Sequence, residues 1–206
     1  MDSLQPKSWH KPILDWKDIF VIESNKIDPQ PGYSGDNKDC QMFRNHMNAL
    51  DFSLSVEFEL KESTPLDIHR YLTKNIPFFE QEGMSGKYRD CRVWVGGQEC
   101  PKYYLIPDLI NQWFTCTRTW IETSLSYETC VKAAWASHNM FEVIHPFIDG
   151  NGRTGRLLFN KVISEMGYDP VIFYYEDVES YYDCIQNFRD LYWNGTSFDF
   201  KYLDLP

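Results

Sequence analysis

Ile13, Trp16, Ile19, Phe20 and Ile27 recur at the three- and four-residue spacing of one helical face, which predicts an amphipathic helix over 12–27. Residues 28–39 break that pattern with Pro, Gly, Ser, Asn and Asp and read as a linker. A second helix is expected over 40–55. Over 64–76, Thr64 offers an N-cap, Pro65 suits the first helical turn, and Leu66, His69 and Leu72 share a face. The period changes over 84–100: the run Arg92, Val93, Trp94, Val95 is rich in strand formers, and Gly96-Gly97 is a hairpin-turn signal. Helical spacing returns over 105–123 and over 126–144, where Ser126 and Thr129 can cap. It continues over 153–167, closed by Gly167, and over 177–195. The sum is an all-α bundle of six or seven helices with one short β-hairpin.

The bulk properties narrow the function. The 206 residues suffice for one domain, and 43% apolar content is ample for a packed core. A net charge of -10, from 30 acidic and 20 basic residues, argues against nucleic acid or an anionic membrane as a non-specific partner. Cys40, Cys91, Cys100, Cys116, Cys130 and Cys184 form no C-x-x-C pair and predict reduced thiols in the cytoplasm. The N-terminus has no apolar stretch of the secretory type, and the apolar runs are too short to span a bilayer. Delivery to a host cytosol by a dedicated machine remains compatible with this sequence.

Against that acidic background one segment is anomalous. Residues 145–156 read HPFIDGNGRTGR. Gly150, Asn151 and Gly152 tolerate positive φ, so successive backbone N–H groups can converge on one concavity, with a helix starting beside it. Orphan N–H groups and the helix dipole favour an anion there. Arg153 and Arg156 share a face near that helix start, where each cation costs typically ~0.3–1 kcal/mol. Gly155 inside a helix costs roughly 1 kcal/mol more relative to Ala. A bound polyphosphate reverses the charge penalties. Asp149 beside such an anion fits a Mg²⁺ ligand, and His145, with an ordinary pKa near 6.5, can accept a proton at neutral pH. Base, metal ligand and anion cradle together describe phosphoryl or nucleotidyl transfer to a hydroxyl.

Each residue also has an ordinary explanation. His145 before Pro146 can end a helix, Asp149 can form a turn, and the arginines can pair with acidic residues. Their concurrence in one loop favours chemistry. Gly150 and Gly155 keep the spacing of a P-loop, but Arg156 and Leu157 stand where that motif needs Lys and a hydroxyl residue. A metal hydrolase is disfavoured because His138 and His145 make no H-x-x-x-H pair. His138 is expected to pack near the loop or lie on the surface.

The loop resembles the Fic signature, H-P-F-x-[DE]-G-N-G-R-x-x-R, at every defined position. Residues 86–97 and 133–147 are similar to that family's flap and signature-bearing helix. The resemblance implies a Fic-type helical bundle with a hairpin flap, here a core over 61–206 after a helical extension over 1–60. It implies transfer of AMP from ATP to a Ser, Thr or Tyr hydroxyl of a target protein. Under it His145 is the general base and Asp149 holds Mg²⁺ across the α- and β-phosphates. Gly150, Asn151 and Gly152 line the nest, with Asn151 at the α-phosphate; Arg153 steadies the β-phosphate and Arg156 the γ-phosphate. Phe147 anchors the loop, and the edge formed by Arg92, Val93, Trp94 and Val95 pairs with an extended target segment. Related members transfer UMP, phosphocholine or phosphate, or remove AMP, and a nucleotide-binding regulator without turnover is the remaining alternative. Many members carry an inhibitory helix, [ST]-x-x-x-E-[GN], and Ser24 to Pro29 is a degenerate match in which Asp28 replaces Glu. An inhibitory Asp28–Arg156 pair and an ordinary helix ending at Pro29 both stay open, as does the oligomeric state.

Overall fold

The computed structural model describes residues 15–29 and 36–200. Residues 12–14 of the first predicted helix and 30–35 of the linker lie outside them. Eight α-helices and one hairpin follow in the order α1 (Trp16–Ile27), α2 (Gln41–Ser53), α3 (Thr64–Thr73), α4 (Pro77–Gln81), β1 (Trp94–Val95), β2 (Gln98–Glu99), α5 (Ile106–Thr123), α6 (Tyr127–Ile144), α7 (Asn151–Glu165) and α8 (Val178–Tyr192). The predicted all-α bundle with a small hairpin is the observed architecture.

Helices α6 and α7 form the centre. α6 packs against α5, α7 and α8, and α7 also meets α1, α2 and α3. Both are buried around most of their circumference: Ala134, Met140, Phe141 and Ile144 of α6 and Leu157, Leu158, Phe159 and Val162 of α7 are all inside. α5 is amphipathic in the ordinary way, burying Ile106, Leu109, Ile110, Trp113 and Trp120. The Trp113 indole donates to the Ser137 carbonyl at 3.0 Å, and the Thr117 and Ser137 hydroxyls meet at 2.8 Å, fixing α5 to α6. The signature loop therefore connects the two innermost helices.

Most local signals act as expected. Ser126 and Thr129 form a reciprocal capping box at the start of α6. Gly96 and Gly97, with φ of 57° and 79°, make the hairpin turn and set the register Trp94↔Glu99 and Val95↔Gln98. Gly167, with φ of 83°, lies just past the end of α7, and the Tyr168 N–H reaches back to the Ile163 carbonyl. Three details differ. Thr64 is the first helical residue rather than the N-cap, and its hydroxyl accepts the Lys61 N–H at 2.8 Å. α7 starts at Asn151, two residues before the predicted start, because the Gly-Asn-Gly turn is itself its first turn. The five-residue α4 is too short to carry a helical period. All six cysteines are unpaired. No helix among the described residues is long and apolar enough to cross a membrane.

Candidate active site

His145 ends α6 in the left-handed region, at φ 49° and ψ 61°. Its N–H still donates to the Phe141 carbonyl at 3.0 Å, so helix and turn overlap at this residue. Such a conformation costs of order 1–3 kcal/mol outside glycine and persists only where its surroundings dictate it. The Glu142 backbone carbonyl near the imidazole favours its protonated form. Burial and then the Arg89 guanidinium push its pKa down to about 4, against that carbonyl and the carboxylates of Asp28 and Asp149. At neutral pH the ring is unprotonated.

The loop beyond it is held from two sides. Phe147 is fully buried and stacks on His69, with ring centroids 3.8 Å apart and planes at 9°. The Asn151 side chain accepts the Phe147 N–H and donates to the Phe147 carbonyl, both at 2.9 Å. Its amide is thus committed to the loop, and what it offers a ligand is its backbone N–H. His69 bridges outward: its Nδ1 accepts the Gly86 N–H at 3.0 Å, so Nε2 donates to the Asp149 carbonyl at 3.0 Å. Burial keeps this imidazole neutral, with a pKa lowered to about 4. From sequence, His69 was visible only as a member of an apolar face.

Gly150 adopts φ 82° as the residue before α7, and no side chain caps the helix. The first N–H groups of α7 therefore face the cleft without a helical partner. Asp149 sits at its lip: one carboxylate oxygen accepts the Gly150 N–H at 2.6 Å and the other lies 3.4 Å from Arg153 Nη2. Arg153 is buried, and among the described residues its Nε has no hydrogen-bond partner.

Arg156 is wholly buried and lies in the second turn of α7. Its Nε donates to Ser24 Oγ and its Nη2 to the Ser24 carbonyl, each at 2.8 Å. Nη2 also meets Asp28 Oδ2 at 2.7 Å, and Nη1 donates to Tyr181 Oη at 3.2 Å. Tyr181 is bonded in turn to His138 Nε2 at 2.9 Å, which places His138 in the core behind the site. Burial works against both charges of the ion pair. The Arg156 guanidinium nevertheless holds Asp28 below its ordinary range, and the Asp28 carboxylate keeps Arg156 protonated. Asp28 has left helical geometry at φ -116°, as expected of a residue before proline. Its carboxylate occupies the space where Gly152 would carry a Cβ. A residue already sits, as an anion, against the glycine nest.

The cleft itself holds about 560 Å³ and is lined by Asp28, Glu142, His145 and Gly152, by Val95 and Gly96 of the hairpin, and by the α8 face at Tyr182. A second hollow of about 270 Å³ shares Asp28, His145, Gly152 and Tyr182 with the cleft and reaches Asp149 and Gly150. A smaller apolar cavity of about 200 Å³ between Trp135 and Tyr181 holds none of the loop residues. The hairpin presents exposed Trp94 and Val95. Arg92 and Val93 precede β1, and the Val93 carbonyl pairs with the Cys100 N–H at 2.9 Å. Glu142 gave no signal in the sequence. Its Oε1 is buried without a hydrogen-bond partner and presses on Gly155, whose absent Cβ makes room for it. Burial and then Asp28 raise its pKa to about 8, so the carboxyl is mostly protonated at neutral pH.

The chain belongs to the Fic/DOC family, whose model matches residues 59–163. It is similar to the protein adenylyltransferase Fic of Aedes aegypti, with 34% identity over 122 residues that cover 59% of this chain and 23% of that protein. The protein of the same name from Drosophila persimilis is 30% identical over 182 residues, covering 78% of this chain and 33% of its own length. The chain thus spans about a third or less of these curated relatives. Among solved structures, a Fic domain containing signaling protein from Bacteroides thetaiotaomicron superposes with a TM-score of 0.71 at 20% identity, covering 88% of this chain and 74% of that one. Fic-1 from C. elegans gives 0.61 at 21% identity, covering 85% and 56%. The structural likenesses establish the fold.

Proposed function

We propose that this protein is a protein adenylyltransferase that moves AMP from ATP to a hydroxyl of a target protein. The observation that carries the reading is the union, around one cleft, of an unprotonated His145, an uncapped helix start lined by Gly150 and Gly152, and two buried arginines. The relatives named protein adenylyltransferase add weight to ATP as the donor. In this reading the target hydroxyl loses its proton to His145 as its oxygen bonds to the α-phosphorus. The bond from that phosphorus to the β-bridging oxygen breaks, and pyrophosphate leaves. Backbone N–H groups at Asn151 and Gly152, beside the Gly150 turn, and the unpartnered Nε of Arg153 take the phosphate oxygens. Val95 and its neighbours dock an extended target segment by strand addition.

Asp149 fits a Mg²⁺ ligand. It is a single carboxylate at the cleft lip, part-exposed, with an oxygen held only by a long contact to Arg153. No cluster of three metal-ligating side chains occurs among the described residues, which suits an ion that takes its other ligands from phosphates and water. When bound, Mg²⁺ would neutralise phosphate charge. In this reading the Ser24 and Asp28 contacts compete with a γ-phosphate for Arg156 and restrain the transfer. The unpaired cysteines suit a reducing compartment, the cytoplasm or a host cytosol.

The test is incubation of wild type, Asp28→Ala and His145→Ala with ATP labelled at the α-phosphate and a protein lysate. Label on protein from wild type or Asp28→Ala, absent with His145→Ala, is expected. No label from any of them, or equal label from His145→Ala, overturns the reading.

A further inference from the structure

Arg89 is buried, yet no carboxylate among the described residues lies within ion-pairing distance of it. Its guanidinium is spent on main-chain carbonyls. Nε donates to His145 O at 2.7 Å, Nη1 to Cys91 O at 2.8 Å, and Nη2 to Pro101 O at 2.7 Å and Ile144 O at 3.4 Å. Its own backbone N–H donates to Pro146 O at 2.9 Å. Burying a cation without a counter-ion costs several kcal/mol unless hydrogen bonds and local dipoles replace the lost water. Here the negative end of α6 supplies that replacement, since Ile144 and His145 carry two of its last carbonyls.

The four acceptors come from three separate segments. Ile144 and His145 form the left-handed turn that presents the imidazole. Cys91 lies on the chain entering the hairpin, and Pro101 on the chain leaving it. We propose that Arg89 is a positioning residue that clamps the His145 turn to both legs of the hairpin, so that the base and the target-docking edge move as one body. The inference rests on the adenylyltransferase reading for its meaning in catalysis, though not for its geometry. A planar fork with five donors can span carbonyls on both sides at once, whereas a lysine ammonium cannot.

The clamp has an electrostatic consequence. Arg89 is the cation that acts most strongly on the His145 ring; Asp28 and Asp149 act in the opposite sense, and the mostly neutral Glu142 carboxyl stands one turn away. A residue that merely packed would leave the His145 titration where it is.

The experiment uses the whole chain with Arg89→Lys and Arg89→Gln, first checked for folding by circular dichroism. His145 is titrated by NMR through its ring carbon-bound protons, and amide exchange is followed at Cys100 and His145, whose N–H groups close the hairpin base and the end of α6. The Gln variant is expected to titrate at higher pH than wild type, and the Lys variant close to wild type. Both variants are expected to exchange faster at Cys100 and at His145 together. With target present, kcat should fall on the order of tenfold or more in both, while ATP binding by calorimetry stays within about twofold, the split expected when only the reacting geometry is lost. Coincident titrations of Gln variant and wild type, or faster exchange on one side only, overturn the proposal. So does loss of ATP binding in parallel with kcat. If Arg89→Gln does not fold, the Lys variant decides: unchanged exchange at both amides overturns the clamp. A chain inactive on every target but showing the titration and exchange changes keeps the clamp and sinks the adenylyltransferase reading.

Discussion

The signature loop and the hairpin face each other across one cleft and are built in opposite ways. The loop joins the two innermost helices, and its side chains turn inward: Phe147 is stacked, Asn151 is doubly bonded, and both arginines are buried. The hairpin has two residue pairs, a glycine turn and exposed Trp94 and Val95. One surface fixes the positions of a few atoms. The other offers backbone groups to whatever chain arrives. Chemistry on a phosphate needs the first, and docking of diverse extended segments needs only the second.

Substitutions of the same kind should therefore cost very different amounts on the two sides. Phe147→Ala removes a fully buried ring from under the loop and should destabilise the fold by about 3–5 kcal/mol, read by urea denaturation. His145→Ala should leave the melting temperature nearly unchanged but lower the labelling rate by about 10²–10⁴-fold, the usual worth of a general base. Retained labelling would remove the ring from the reaction.

Glu142 gives a pH-dependent version of the same contrast. Its folded pKa, about 8, stands above its ordinary value of 4.5. Between those values the native state holds the proton that the unfolded chain releases, so this group's contribution is complete below 4.5 and declines as pH rises toward 8. Glu142→Gln should thus gain stability relative to wild type with increasing pH over that window, by on the order of 5 kcal/mol in total. A constant difference across pH would mean that the carboxyl is not held protonated.

Much of this was legible in the chain, and the part that was not has a common cause. α5 and the capping box of α6 rest on neighbours three or four positions apart, and the hairpin turn on two adjacent glycines, so pattern alone reveals them. The loop was legible because its signature is contiguous. Arg89 was not, since the carbonyls it grips lie 2, 12, 55 and 56 positions away and a carbonyl leaves no mark on residue type. Glu142 reads as one more acidic residue in an acidic chain until Gly155 and Asp28 are brought against it. The separation of 128 positions between Asp28 and Arg156 left two readings open, and geometry brings the pair together. What it does to catalysis is a question for substitution. Asp28→Ala leaves Arg156 with the Ser24 and Tyr181 contacts, so the fold should lose about 1–3 kcal/mol while ATP affinity rises. Because Asp28 is held below its ordinary 3.8, its contribution is present above that value and lost only as pH falls below it. The Asp28→Ala defect in stability should accordingly be constant from neutral pH down to about 4 and shrink in stronger acid. Unchanged ATP affinity would leave α1 as an ordinary helix.

The smallest expected effect sits on the hairpin. Trp94 is 56% exposed, and its strand has a single partner. Trp94→Ala should change stability by no more than about 0.5 kcal/mol, since the indole is mostly in water already. If the docking reading holds, the same substitution should raise the KM for a protein target several-fold and leave ATP binding alone, because the exposed ring flanks the edge where a target strand would pair. Pyrophosphate release measured against target concentration separates the two constants. A KM unchanged by Trp94→Ala, together with full activity in Trp94→Pro, would show that the target does not use this edge, since Trp94 belongs to the non-hydrogen-bonded pair of the hairpin and its N–H is the outward donor that strand addition requires. The hairpin would then be a lid over the nucleotide rather than a docking strand, and the division of labour between the two walls of the cleft would have to be redrawn.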